Sequence, residues 1–249
     1  DRVLGQPNFV LSASRSPLVG EEQVGPASAA NFYASGVRHM AIDRRSGRLF
    51  VADYYNARVM SWPSVSAFHN AQSADVILGQ PDEFTTTCST GGVSASSLCQ
   101  PYGVAVSPSG MLYVSDKGTH RVLGYSPPFT TGMAASRVYG QAGSFTSSAP
   151  TLGADGLASP AGVAASDTAL FVYDTSNRRV LVYNDPGADF TADVAIGQAS
   201  LTTADFGAFI YWECYRHLVE AELTSLIPHL NLDEAESIAF VGAGPLPLS

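Results

Sequence analysis

The chain has 249 residues, a net charge of −9 and a single lysine, Lys117. Charged residues make up only 14% of it, against roughly 25% in an average domain, so no basic run stands ready to neutralise a nucleic-acid backbone. No apolar stretch approaches the roughly 18 residues of a membrane-spanning helix, so neither nucleic acid nor a membrane span is expected.

The first residues, DRVLGQPNF, recur along the chain as DVILGQPDEF, RVYGQAGSF and DVAIGQASL, with Gly-Gln pairs at 5, 79, 140 and 197. The repeats are therefore 74, 61 and 57 residues long, and the variation falls in polar loops. Within each repeat a second pattern is gapless over fourteen residues. It reads LFVADYYNARVMSW at 49–62, LYVSDKGTHRVLGY at 112–125 and LFVYDTSNRRVLVY at 170–183. Four residues separate Asp53 from Arg58, Asp116 from Arg121 and Asp174 from Arg179. An aromatic follows four positions after each Arg, at Trp62, Tyr125 and Tyr183.

Segments such as GVAV, LYV and RVLGY are short, β-branched or aromatic, and bounded by turn residues. Each repeat predicts four short strands, the content of one propeller blade. The Asp ends one strand and can accept backbone N–H bonds in the turn. The Arg opens the next strand, within reach of the Asp of its own or a neighbouring blade. Residues present in every blade read as structural fasteners rather than as a catalytic or metal site. Cys88 and Cys99 bracket a Ser/Gly-rich loop, and their spacing permits a loop-closing disulfide. Two thiols with no nearby His make a poor zinc site. Cys214 is expected to stay free.

The stretches 101–125 and 160–183 resemble NHL repeats. The first repeat, VRHMAIDRRSGRLFVADYYNARVMSW, lacks their Pro-x-Gly opening. The resemblance covers roughly residues 1–205 and implies a mainly β fold of about three blades. NHL propellers usually close with six, so the chain reads as a fragment of a longer protein. A half ring would leave sheet edges and a core face open.

After DVAIGQASLTTADFG no further blade follows. Tyr215, Leu218, Val219, Leu223, Leu226, Ile227 and Leu230 fall at spacings of three and four, predicting a helix with one apolar face. SIAFVGAGPLPLS then predicts a strand running into a Gly-rich turn. The acidity shifts here too, with −5 carried by residues 207–249 and −4 by the first 206. YWECYRHLVEAEL followed by IAFVGAGPLPLS is similar to the nicotianamine synthase family. That resemblance implies the start of an α/β domain for an S-adenosylmethionine-dependent transferase making a metal-chelating metabolite. Gly242, Gly244 and Pro245 would line the donor pocket, behind a helix carrying Tyr211, Tyr215 and Glu222. The rest of such a domain lies beyond this sequence, so the chain itself is expected to be non-catalytic and to hold no cofactor. No Pro/Gly/Ser linker separates the two segments, and the junction near residue 206 reads equally as a fusion or as an assembly join.

Three functions compete. A binding or scaffold module would offer its propeller face to a protein or glycan through the loops at 10–34, 85–100 and 144–159, which hold few aromatic anchors. A transferase would carry the propeller as an accessory. A propeller lyase or hydrolase would need polar groups converging on the channel, but His39, His69, His120, His217 and His229 share no register between repeats. The possible disulfide, the low Lys content and the small polar loops favour an extracellular or periplasmic setting for the repeats.

Overall fold

The computed structural model describes residues 27–33, 36–70 and 72–205. The chain divides into two units, Asp1–Phe206 and Gly207–Ser249, and the described residues belong to the first. The helix and strand expected beyond residue 206 lie outside the described residues.

Three four-stranded antiparallel sheets follow one another along the chain. The first holds β1 (Val37–Ile42), β2 (Leu49–Asp53), β3 (Arg58–Trp62) and β4 (Val76–Leu78). The second holds β5 (Pro101–Val106), β6 (Leu112–Asp116), β7 (Arg121–Tyr125) and β8 (Arg137–Tyr139). The third holds β9 (Pro160–Ala165), β10 (Ala169–Asp174), β11 (Arg179–Asn184) and β12 (Val194–Ile196). Each sheet is a simple meander in which strands pair in chain order. β1 packs beside β5 and β5 beside β9, so the first strands of the three sheets form the inner row of a propeller-like stack.

Side-chain alternation sets the packing. On β6, Leu112 and Val114 point toward the first sheet, where they meet Phe50, Ala52, Val59 and Leu78. Tyr113 points the other way and joins Leu170, Val172 and Leu181 of the third sheet. The middle sheet is therefore covered on both faces, and β6 and β7 are buried along their whole length. This is why LYVSD and RVLGY do not alternate cleanly between apolar and polar residues. Each fully buried Leu or Phe contributes about 1.5–3 kcal/mol relative to exposure. Trp62, Tyr125 and Tyr183, the aromatics after each Arg, are all buried in these layers.

The outer faces differ. Val37, Met40 and Ile42 on β1 are exposed at 38%, 59% and 48%, as are Tyr173 and Val194 on the third sheet at 41% and 45%. At the corresponding positions of the middle sheet Pro101, Val104 and Ser115 are buried, and Val106 and Arg137 are half-buried.

The seam between the second and third sheets shows why the repeat opens on Pro-x-Gly. A Cβ at Gly103 would run into the Ala161 carbonyl oxygen. The Ser115 hydroxyl fills the same seam, accepting from the Gly103 N–H at 2.7 Å and donating to the Ala161 carbonyl at 2.5 Å. In the first repeat His39 stands where Gly103 stands, and its Nδ1 lies 3.0 Å from the Val104 carbonyl oxygen across the first seam.

Candidate functional site

The repeated Asp–Arg pairs come first, because they occupy the same place in every sheet. Asp53 and Arg58, Asp116 and Arg121, and Asp174 and Arg179 are each the last cross-strand pair of a hairpin. The connection between them is a 3-10 turn, Tyr54–Asn56, Lys117–Thr119 or Thr175–Asn177, closed by one left-handed residue. Those residues are Ala57, His120 and Arg178, with φ of 51°, 56° and 55°.

Each Arg binds the Asp of its own hairpin: Nε to Oδ2 is 2.9, 3.1 and 2.8 Å in chain order. The other two nitrogens tie down loops. Arg58 donates to the carbonyls of Glu83, Ser28 and Asn31, and Arg121 to those of Phe145, Ser94 and Ser97. Arg179 donates to Leu201, Gly153 and Gly156. The free carboxylate oxygens accept from the backbone N–H groups of Tyr33, Cys99 and Ala158. All six side chains are sealed from solvent. Burial pushes the Asp116 and Asp174 carboxyls up, and their guanidinium and hydrogen-bond partners pull them back. Sealed from solvent and fully engaged, these side chains tie each hairpin to the loops around it.

The Gly-Gln pairs act in the same way. Gln80, Gln141 and Gln198 donate through Nε2 to the carbonyls of Ala57, His120 and Arg178, the left-handed turn residues. Cys88 and Cys99 are joined as a disulfide across the loop before β5, with Cα atoms 4.4 Å apart. Its Cys99 end packs on the second turn, where the Gly118 N–H donates to the Cys99 carbonyl at 2.8 Å.

Of the histidines, His120 sits in a turn between two sheets. Its Nδ1 accepts from the Ser159 N–H at 2.9 Å, which requires an unprotonated nitrogen. Burial lowers its pKa, against the pull of Asp174. Between the lowered folded value and the unfolded value of 6.5 the unfolded chain binds more protons. Stability from this group is therefore complete above about pH 6.5 and is lost as the pH falls toward the folded value. Urea midpoints should drop from pH 7.5 to 5.5 and the drop should shrink in His120→Gln; an equal slope in the variant would remove His120 as the cause. His39 and His69 lie apart from it, and His217 and His229 lie outside the described residues. No cluster of three His, Cys, Asp or Glu side chains suited to a metal occurs among the described residues.

A different grouping is exposed. The first hairpin turn carries Tyr54 and Tyr55 where the other turns carry Lys117-Gly118 and Thr175-Ser176. The Tyr54 and Tyr55 rings meet edge to face with centroids 4.9 Å apart. Tyr33, from the segment before β1, lies 4.9 Å from Tyr55 on its other side. Tyr102, from β5 of the next sheet, lies 6.0 Å from Tyr54. Two cations lie over these rings. The Arg38 guanidinium carbon is 4.9 Å from the Tyr54 centroid, 5.5 Å from Tyr55 and 6.0 Å from Tyr102. Lys117 Nζ is 4.9 Å from Tyr102. Arg38 also donates to the Tyr55 hydroxyl at 3.3 Å. Tyr55 is 46% exposed, and Tyr33, Tyr54 and Tyr102 are half-buried. Burial and the neighbouring Tyr55 push the Tyr54 phenol up, so it stays a neutral donor near pH 7.

The long loops hold few aromatic residues; the grouped rings lie in one hairpin turn, on β5 and, for Tyr33, within the first of those loops. The paired tyrosines in the first turn, unlike either other turn, were the available signal. Stacking brings Arg38 and Lys117 to the same ring, that of Tyr102.

A smaller cleft of about 260 Å³ opens between the second and third sheets, lined by Met111, Tyr113, Arg137, Asp167 and Asp185 among others. Asp167 is already engaged there, accepting from the Ser109 N–H at 2.7 Å. Gly242, Gly244 and Pro245, assigned to a donor pocket by resemblance, lie outside the described residues, as do Tyr211, Tyr215 and Glu222.

Residues 98–125 match the NHL repeat family. The match runs from the disulfide end through β5, β6 and β7, and includes Asp116 and Arg121. No curated protein matches the chain. Among solved structures it is similar to the WD40 β-propeller domain of Doa1, at 11% identity and a TM-score of 0.44, over 73% of this chain and 47% of that one. It is similar to a chain of a nidogen–laminin complex at 16% identity and a TM-score of 0.43, over 68% and 49% respectively. It is also similar to virginiamycin B lyase from Staphylococcus aureus at 16% identity and a TM-score of 0.38, over 63% and 40%. The chain thus spans less than half the length of each of these structures. The described residues are mainly β, three four-stranded antiparallel sheets, and residues 98–125 within them match the NHL repeat.

Proposed function

We propose that this chain is a non-catalytic binding module of NHL-type blades, part of a larger protein, that presents the Tyr33–Tyr54–Tyr55–Tyr102 face to a protein partner. The observation carrying this reading is the exposed tyrosine cluster with cations laid over it. Tyrosine and arginine are the residues most enriched at binding hot spots, because they bring large rigid area and a polar edge together. Here four rings from three separate segments converge. The repeated polar residues, by contrast, are consumed in holding loops.

The disulfide across Cys88 and Cys99 supports an extracellular or periplasmic setting, where such bonds persist. The transferase reading of residues 207–249, with S-adenosylmethionine as donor, rests on sequence resemblance alone.

Partner affinity in the double variant Tyr55→Ala, Tyr102→Ala tests the face. Loss of two hot-spot side chains should weaken binding by about thirtyfold or more, with an unchanged urea midpoint. Full affinity in the variant would place the binding surface elsewhere.

A further inference from the structure

We infer that the partner segment seated on the tyrosine face is an acidic peptide, whose carboxylates meet Arg38 and Lys117 while its apolar groups lie on the rings. This rests on the binding-face reading above and adds the chemistry of the occupant.

The protein is strongly acidic, at −9 overall. Among the described residues, ion pairs join Arg48 to Asp75, Arg58 to Asp53, Arg121 to Asp116 and Arg179 to Asp174. Arg38 and Lys117 make none. Both lie over tyrosine rings, and Arg38 is exposed. Lys117 is also the only lysine in the chain.

A cation over a ring keeps its charge and most of its donors. Arg38 gives one bond to the Tyr55 hydroxyl, and the remainder of its five-donor fork has no partner among the described residues. The Arg38 guanidinium lies over rings and is exposed, and a planar fork of this kind takes a carboxylate through two parallel bonds. Lys117 supplies a second point charge beside Tyr102. The rings between them exclude water from the contact, which strengthens both charge pairs. A basic segment would meet two like charges here, and a neutral one would leave both without a counter-charge. An acidic segment with interspersed apolar residues satisfies both halves of the surface.

Peptide-display selection on the immobilised 249-residue chain tests this, with counter-selection on the Tyr55→Ala, Tyr102→Ala variant. The probe is then the fluorescein-labelled consensus peptide. Recovered peptides should be enriched in Asp and Glu about threefold over the library, and their affinity should fall about tenfold in Arg38→Ala, Lys117→Ala and again when their acids become Asn and Gln. Affinity should also weaken as salt rises. Tyrosine-dependent peptides without acid enrichment, or indifferent to Arg38 and Lys117, would overturn the acidic partner and leave the binding face standing. Recovery of no tyrosine-dependent peptide would overturn both. An oligo-uridylate competitor binding more tightly than the consensus peptide would overturn the peptide class in favour of a nucleic acid. Unchanged urea midpoints in both surface variants keep these outcomes separate from loss of fold.

Discussion

Arg121→Ala is expected to destabilise the chain by about 3–5 kcal/mol, enough to unfold much of a marginally stable unit. The side chain is fully buried at the centre of the stack. Its removal leaves the Asp116 carboxyl sealed with no counter-charge. It also orphans the carbonyls of Ser94, Ser97 and Phe145, which belong to the loops on either side of the sheet. Arg121→Lys should rescue little, because one ammonium cannot reproduce a planar fork that serves four acceptors. Replacing Asp116 and Arg121 together by leucine should not restore stability either. The pair could be exchanged for apolar contact, but the loop carbonyls and the Cys99 N–H would still lack partners. Denaturant unfolding of the three variants checks this. A loss below about 1 kcal/mol for Arg121→Ala would mean that the loops find other partners.

The second large effect concerns the disulfide. Cys88→Ser, Cys99→Ser is expected to cost about 3 kcal/mol, from the entropy released to the unfolded chain by a loop with a sequence separation of 11. The folded state adds to this. The Cys99 N–H donates to Asp116 Oδ1 at 2.6 Å, and the Cys99 carbonyl accepts from Gly118. The disulfide therefore anchors a loop that the central fastener also holds. Effects of the two sites should be non-additive, since they share the Asp116 carboxylate. A reductant titration followed by circular dichroism, with thiol counting on the unfolded protein, measures both quantities. With Cys214 counted, three free thiols rather than one in protein purified without reductant would show that the bond does not form.

The hairpins were legible in the sequence because their chemistry is local. Four residues separate each Asp from its Arg, a span that one 3-10 turn closes, so both strands can be read from spacing, while the choice between the Asp of the same hairpin and that of a neighbouring blade stayed open. The strands ending at Gly-Gln were legible for the same reason. Sequence could not say what else each Arg holds. Its carbonyl partners lie 22 to 30 positions away, in loops whose paths depend on where the neighbouring elements pack. It named both halves of the Cys88–Cys99 loop but not the turn against which that loop rests.

The tyrosine face was decided by tertiary structure alone. Tyr33, Tyr54 and Tyr55 belong to the first repeat, while Tyr102 and Lys117 belong to the second. Nothing in their spacing brings them together. They meet because β1 packs beside β5, which carries the inner-strand residues Arg38 and Tyr102 to the same end of the stack as the hairpin turns. Periodic residues report on the unit that repeats. The residues that break the period, two tyrosines in one turn and a lone lysine in the next, acquire meaning only once the sheets have stacked.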